Sequence, residues 1–185
     1  MKRAIKTDNS HFEKKVILRL QAIKSLDKQE INILDCFAGK GLLWKEVQKR
    51  THKTLHIVGI EKEKGKNPNA LCGDNLKILP TIPLETFDII DLEAYGIPDK
   101  QLKIIFDKKY NGTIIVTAIS SMYGQISNLL LENSSLKKEF YKKAPTLFIN
   151  EMFGLLINFL YLYKCKKIKG YFLHKERKYY FMFNI

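Results

Sequence analysis

Arginine is scarce in this 185-residue chain: four of its 32 basic residues are Arg and 28 are Lys. Arg is the stronger bidentate reader of phosphates and base edges. Recognition therefore cannot lean on an arginine-rich surface. Cysteine is also scarce. Cys36, Cys72 and Cys165 are far apart, odd in number, and no CxxC occurs. That pattern argues against a disulfide framework and a zinc site. His11, His52, His56 and His174 are scattered without metal-ligand spacing, so no metal is expected. Ten Gly and five Pro are too few for a collagenous or low-complexity chain. Long apolar runs are absent too. The longest, Met152–Tyr163, has twelve residues and contains Gly154 and Asn158. A spanning helix needs about 20 apolar residues. The opening MKRAIKTDNSHF lacks the apolar region of a signal peptide. The expectation is a soluble, reduced, cytoplasmic protein without membrane attachment.

What is present is an ordinary folded composition. Hydrophobic residues make up 45%, enough for a core and too many for a disordered chain. The length fits one domain over 1–185, with 1–30 an N-terminal helical extension and 31–185 the core. Charge is uneven. Residues 1–100 carry 18 basic and 14 acidic side chains; residues 101–185 carry 14 and 5. A basic half suggests a polyanionic partner, nucleic acid first. A solvated lysine face has the same composition. The candidate phosphate contacts are Lys137, Lys138, Lys142 and Lys143, with Lys164, Lys166, Lys167 and Lys169 in the tail.

Periodicity gives the organisation. His11–Leu26 has apolar residues at 12, 16, 17, 20 and 23, a helical spacing that Asn9 or Ser10 could cap. INILDCF (31–37), LHIVGIE (55–61), LCGDN (71–75), FDIIDLE (87–93) and NGTIIVTAIS (111–120) read as strands. Leu42–Arg50, Asp99–Lys109 and Thr146–Tyr163 read as helices, the last with Thr146 as a possible cap. Two aromatic-rich tail runs, joined by a polar turn near Lys175–Lys178, read as an antiparallel hairpin. Apolar strands alternating with helices imply an α/β fold with a mostly parallel sheet covered on both faces. Ligands in such sheets bind at the carboxyl ends of the strands.

The first strand end reads Asp35-Cys36-Phe37-Ala38-Gly39-Lys40-Gly41. Two glycines allow close backbone approach to a ligand. The nicotinamide fingerprint needs a third small residue, and Trp44 stands there. No GK[ST] follows, so P-loop chemistry is excluded. Asp35 would repel a pyrophosphate and suits a ligand bearing a positive amino group.

DCFAGKG resembles motif I of class I S-adenosylmethionine (SAM) dependent methyltransferases. The resemblance implies a Rossmann-like, mostly parallel seven-stranded sheet with a C-terminal antiparallel hairpin, and SAM as cofactor. It further implies that Asp35, Phe37, Ala38, Gly39 and Gly41 hold the methionine moiety. Glu61, 20 positions after Gly41, would hold the ribose hydroxyls. Asp74 and Asn75 would hold the adenine. Each also has a plain reading: a tight turn, a solvated acid beside Lys62 and Lys64, and a cap on a short helix at 75–79.

The third long strand ends in Asp91-Leu92-Glu93-Ala94-Tyr95-Gly96-Ile97-Pro98. This is similar to the D-x-D-P-aromatic-G-x-P segment of tRNA guanine-N2 dimethyltransferases. Glu93 stands at the second acid, Ala94 replaces the proline and Tyr95 is the aromatic. The resemblance implies a catalytic carboxylate pair, Asp91 and Glu93, and a stacking platform, Tyr95. A carboxylate accepting the N–H bonds of an exocyclic amine stabilises the charge that develops on transfer. Aromatic stacking on a base adds roughly 1–3 kcal/mol. Cytosine C5 chemistry would need a Cys nucleophile, and none lies between 87 and 110. Cys36 and Cys72 read as small buried residues. Ser120, Ser121 and Tyr123 could line a substrate mouth or form a plain loop. The implied function is methylation of an exocyclic amino nitrogen of a base, in RNA before DNA. A small-molecule or protein methyltransferase, or a non-catalytic module of the same fold, are the alternatives.

Overall fold

The computed structural model describes residues 11–120, 126–134, 137–143 and 151–185. The possible caps Asn9, Ser10 and Thr146, and the mouth candidates Ser121 and Tyr123, lie outside the described residues. The chain runs α1 (Phe12–Lys24), β1 (Glu30–Asp35), α2 (Leu42–Lys49), β2 (Thr54–Glu61), β3 (Ala70–Cys72), α3 (Asn75–Ile78), β4 (Ile89–Glu93), α4 (Asp99–Asp107) and β5 (Thr113–Ile119). It continues through α5 (Asn128–Glu132), α6 (Lys138–Lys143), α7 (Met152–Leu162), β6 (Lys166–Leu173) and β7 (Lys178–Asn184). The expected strands and terminal hairpin are present, and so are the expected helices; of the one expected over Thr146–Tyr163, the described part is α7, Met152–Leu162.

The sheet has seven strands in the order β3-β2-β1-β4-β5-β7-β6. β1 to β5 pair in parallel, and β7 runs antiparallel to both β5 and β6. This is the Rossmann-like arrangement that the sequence implied. The strand order reverses between β1 and β4, which is where ligands enter such sheets. Period-2 alternation splits the core in two. Leu34, Ile90, Val116, Phe181 and Phe183 face α4 and α7. Ile31, Ile33, Ile89, Ile115 and Tyr180 face α1 and α2.

α1 differs from its apolar pattern. Its buried side includes Val16, Leu18, Ala22 and Ile23, but also Lys15 and Arg19. Lys15 and Arg19 lie one helical turn apart and face inward, because they meet carboxylates there. A count that scores every charge as solvent-facing assigns them to the wrong side.

Eight residues, 62–69, join β2 to β3, too few for the usual crossover helix. β2 pairs with β3 only over Gly59–Glu61. Ile57, Val58 and Leu71 stay exposed as a result. Cys72, expected to be buried, is exposed on this edge strand, while Cys36 is buried as expected.

The tail lysines also have a definite place. Lys166 pairs with Asn184, which pairs with Thr113 at the start of β5. Lys169 pairs with Met182, opposite Ile115. Lys166, Lys167 and Lys169 therefore lie on the outer strand, toward the sheet end remote from the carboxyl ends of β1–β5.

Candidate functional site

The glycine loop forms because β1 ends in residues that accept a reversal. Gly39 and Gly41 have φ of 52° and 69°, the left-handed region that glycine adopts without strain. Gly41 N–H donates to Ala38 O at 2.7 Å, and Ala38 N–H donates to Ile60 O at 3.0 Å. Gly59 lets this loop lie on β2: a Cβ there would sit 2.8 Å from the Ala38 Cβ. α2 starts at Leu42 with no side-chain cap from Gly41, so among the described residues its first N–H groups are open to a ligand.

A cavity of about 400 Å³ opens over this loop. Asp35, Phe37, Ala38, Gly39, Glu61, Asp74 and Asn75 line it, as do Glu93 and Tyr95. Gly41 belongs to the loop below, and Asp91 is not on the wall. The carboxyl ends of β1, β2, β3 and β4 thus converge on one chamber. α1 contributes Phe12 and Lys15 to it.

The acids around the cavity differ in their environment. Asp35 is buried and takes one hydrogen bond, from Phe37 N–H at 3.2 Å. Burial first, and the charge of Asp91 second, push its carboxyl well above the ordinary range, with Arg19 opposing. Glu61 accepts from Glu63 N–H through Oε1 at 2.8 Å. Asp74 caps α3 by accepting from Leu76 N–H at 3.0 Å, and Lys62 meets its other oxygen at 3.1 Å. The Leu76 N–H and then Lys62 hold that carboxyl below its usual value. The plain capping reading of Asp74 is thus present alongside its place on the wall. Asn75 is engaged: its Nδ2 donates to Cys36 O at 2.9 Å, and its Oδ1 accepts from Gln101 Nε2 at 2.9 Å. Burial, then the neighbouring carboxylates, raise the Cys36 thiol well above its ordinary value, so it stays protonated.

Asp91 and Glu93 separate. Asp91 has no exposed surface. Arg19 Nε donates to its Oδ2 at 2.8 Å and Arg19 Nη2 to its Oδ1 at 3.0 Å. Trp44 Nε1 donates to the same Oδ2 at 2.8 Å. Burial pushes the Asp91 carboxyl up to about 6 against the pull of Arg19. Burial works against the Arg19 charge, but Asp91 and Glu93 outweigh it and raise its pKa. The expected amine contact at Asp91 is therefore corrected: this carboxylate is enclosed by one guanidinium, that of Arg19, and the Trp44 indole, and does not line the cavity. Trp44, which blocks the nicotinamide fingerprint, is buried against Asp91. Trp44→Phe keeps an aromatic ring, gives up the pyrrole half of the indole and removes one donor from a buried carboxylate. It should cost about 1–3 kcal/mol, read as a shift in the urea midpoint.

Glu93 stands at the cavity end with its side chain 22% exposed. Lys15 Nζ donates to Oε1 at 2.7 Å and Arg19 Nη2 to Oε2 at 3.0 Å. Beyond it lies a notch of about 20 Å³ bounded by Lys15, Glu93, Ala94, Tyr95, Thr117 and Ile119. Tyr95 is 59% exposed. Ala94, which stands in place of the motif's proline, donates its N–H to Leu92 O at 3.0 Å. Gly96 O accepts from Ile119 N–H at 3.0 Å, which ties the turn to β5. A backbone turn is thus held without the proline ring.

Sequence reasoning missed Lys15, Arg19 and Trp44. The available signal was an i, i+4 pair of cations, Lys15 and Arg19, beside the apolar stripe of α1. Among the described residues, no group of His, Cys, Asp or Glu could hold a metal ion, and no helix is long and apolar enough to cross a membrane.

Comparison with known proteins agrees with the fold. No family model matches the chain, and no curated protein matches it by sequence. Solved structures do. A SAM-dependent methyltransferase from Archaeoglobus fulgidus is similar with a TM-score of 0.51 at 14% identity, covering 90% of this chain and 91% of that one. The precorrin-6y C5,15-methyltransferase of Geobacter metallireducens gives 0.51 at 11% identity, covering 92% and 86%. A Streptococcus thermophilus protein named as a hemolysin gives 0.56 at 8% identity, covering 93% of this chain and 65% of that one. The chain shares the fold of class I SAM-dependent methyltransferases. At these identities the likeness is one of fold, and chemistry has to come from the site.

Proposed function

We propose that this protein is a SAM-dependent methyltransferase that acts on an exocyclic amino nitrogen of a base, in RNA before DNA. One observation carries the reading: a single cavity joins the glycine loop, three acids at the ends of β1 to β3, and Glu93 with Tyr95 at the end of β4. The donor set suits SAM. Asp35 would accept from the ammonium group, and the free N–H groups at the start of α2 would take the carboxylate. Glu61, with Oε2 free of hydrogen bonds among the described residues, would accept from the ribose hydroxyls. Asp74 has remaining lone pairs for the adenine amino group. Asn75, its amide already engaged, would shape the wall and keep Gln101 and the Cys36 carbonyl in place.

Bound SAM supplies an electrophilic methyl group on a sulfonium. The rest falls to the protein. Glu93 would accept an N–H bond of the acceptor amine, favour its pyramidal form and stabilise the positive charge that develops there. Tyr95 would offer a stacking face. Asp91 would anchor the site without touching the acceptor. The similarity of Asp91–Pro98 to the tRNA guanine-N2 dimethyltransferase segment favours a base amine over other acceptors. The phosphate contacts cannot all come from the tail strand, since Lys166, Lys167 and Lys169 point to the remote end of the sheet.

The test is to incubate the protein with SAM labelled on the methyl group and with total RNA, DNA and protein fractions. Label in RNA, or in DNA, is expected. Label confined to protein or small molecules would refute the nucleic-acid reading, and no SAM binding by calorimetry would refute the cofactor. Glu61→Ala should weaken SAM binding by tenfold or more, the value of hydrogen bonds to a charged group at about 1.5–3 kcal/mol. It should leave the thermal midpoint in place, because among the described residues the Glu61 side chain supports only the Glu63 N–H.

A further inference from the structure

Two features of the site have no place in the scheme above: the inward cations of α1, and the use of both Glu93 oxygens. The connections are continuous. Trp44 and Arg19 hold Asp91. The Arg19 guanidinium lies 5.6 Å from the Trp44 ring centroid, and its Nη1 donates to Lys15 O at 3.0 Å. Arg19 Nη2 then reaches Glu93, and Lys15 Nζ reaches the other Glu93 oxygen. Lys15 itself lies 5.5 Å over the Tyr180 ring. Every member is buried except Glu93, which faces the cavity and the notch.

A structural ion pair does not require this arrangement. Asp91 already neutralises Arg19, and apolar side chains fill such a space at no electrostatic cost. Glu93 adds a further carboxylate where water still reaches. Its side chain has three rotatable bonds, and the turn that carries it has Ala94 in place of the rigid proline. Left alone it would sample several rotamers. Two cations, one turn apart on α1 and each on a different oxygen, remove that freedom.

We propose that Lys15 and Arg19 are positioning residues: α1 is part of the reaction centre, and it holds the Glu93 carboxylate in one orientation at the end of the cavity. This rests on the reading of Glu93 as the carboxylate that meets the acceptor amine. Arg19 sets the depth of Glu93 through its anchor on Asp91, and Lys15 sets the rotation of the carboxylate plane. The core motifs alone would leave the proposed catalytic acid unsupported.

The experiment separates positioning from structure by replacing the buried pair as a unit. Arg19→Met with Asp91→Leu exchanges two compensating charges for two apolar side chains, which such sites tolerate. Methyl transfer is measured with labelled SAM and the macromolecular fraction that the wild type labels. SAM affinity is measured by calorimetry on the same samples. The double variant is expected to stay folded, to bind SAM within about threefold, and to lose roughly 100-fold in kcat, the penalty for a misplaced catalytic group. KM for SAM should hardly move. Lys15→Met should lose kcat in the same way, and Lys15→Arg should restore most of it. Transfer by the folded double variant at the wild-type rate would overturn the proposal. If the double variant fails to fold, wild-type kcat in Lys15→Met overturns it instead. A wild type that binds SAM and labels no fraction removes the enzymatic reading and the proposal together. A wild type that labels a fraction, with variants that do so equally well, removes the proposal alone.

Discussion

Arg19→Met as a single change is expected to destabilise the fold by about 3–5 kcal/mol, the usual cost of removing one partner from a buried ion pair. The reason is the asymmetry of the site. The Arg19 and Asp91 side chains are each 1% exposed. Without the guanidinium, Asp91 keeps, among the described residues, only Trp44 Nε1 as a side-chain donor, and burial keeps water from replacing what was lost. For a chain of this length, roughly 2–4 °C is lost per kcal/mol, so the thermal midpoint should fall by roughly 6–20 °C. The deficit should depend on pH. Burial already raises the Asp91 carboxyl to about 6, and loss of the cation raises it further. A carboxyl raised in the folded state contributes stability that is complete below its unfolded value, about 4, and is lost as pH rises through the folded value. The variant should therefore lie closer to wild type at pH 5 than at pH 8. Urea unfolding at both values checks this, and an equal deficit at the two would contradict the buried-charge account.

The same buried cluster marks the limit of what the sequence discloses. β-branched and apolar runs such as Ile89–Leu92 and Thr113–Ile119 show their strands directly, because both faces of a parallel sheet are dry. The hairpin is visible in two aromatic-rich runs joined by the polar turn near Lys175–Lys178. Gly39 and Gly41 are legible because glycine adopts their left-handed backbone angles at the least cost. Asp91 was not legible. In sequence it is simply the first of two acids at a strand end, and which one faces the cavity depends on the strand's alternation and on what packs behind it. That partner is Arg19, 72 positions earlier. Its approach depends on the path of α1, which periodicity placed but did not rotate correctly. The lysine surplus after residue 100 was legible only as a count: charge counts carry no direction, and the register of β6 sets Lys166, Lys167 and Lys169 toward the far end of the sheet.

Asp35→Asn is expected to have the opposite effects on stability and on binding. Asp35 is buried beside Asp91, and burial and that like charge push its carboxyl well above the ordinary range. Its linkage has the same sign as that of Asp91: the contribution is full at low pH and is lost as pH rises through the raised value. Removing the ionisation with Asn should therefore stabilise the ligand-free protein at pH 8 and change little at pH 4. Binding should go the other way. An ammonium group placed against Asp35 would favour its ionised form, so SAM binding at a pH below that raised value should release a proton. Calorimetry in buffers of different ionisation heat reads that proton directly. The Asn variant should show no such release from this site, and its affinity for SAM should fall by roughly tenfold to a hundredfold, the worth of a charge-assisted hydrogen bond at about 1.5–3 kcal/mol. A variant that gains stability yet binds SAM as well as wild type would mean that the Asp35 carboxylate does not meet the ligand. A variant that loses both would mean that Asp35 supports the glycine loop through Phe37 N–H rather than the cofactor. The expected result, a more stable protein with a weaker site, is the signature of a charge kept buried for a positive ligand.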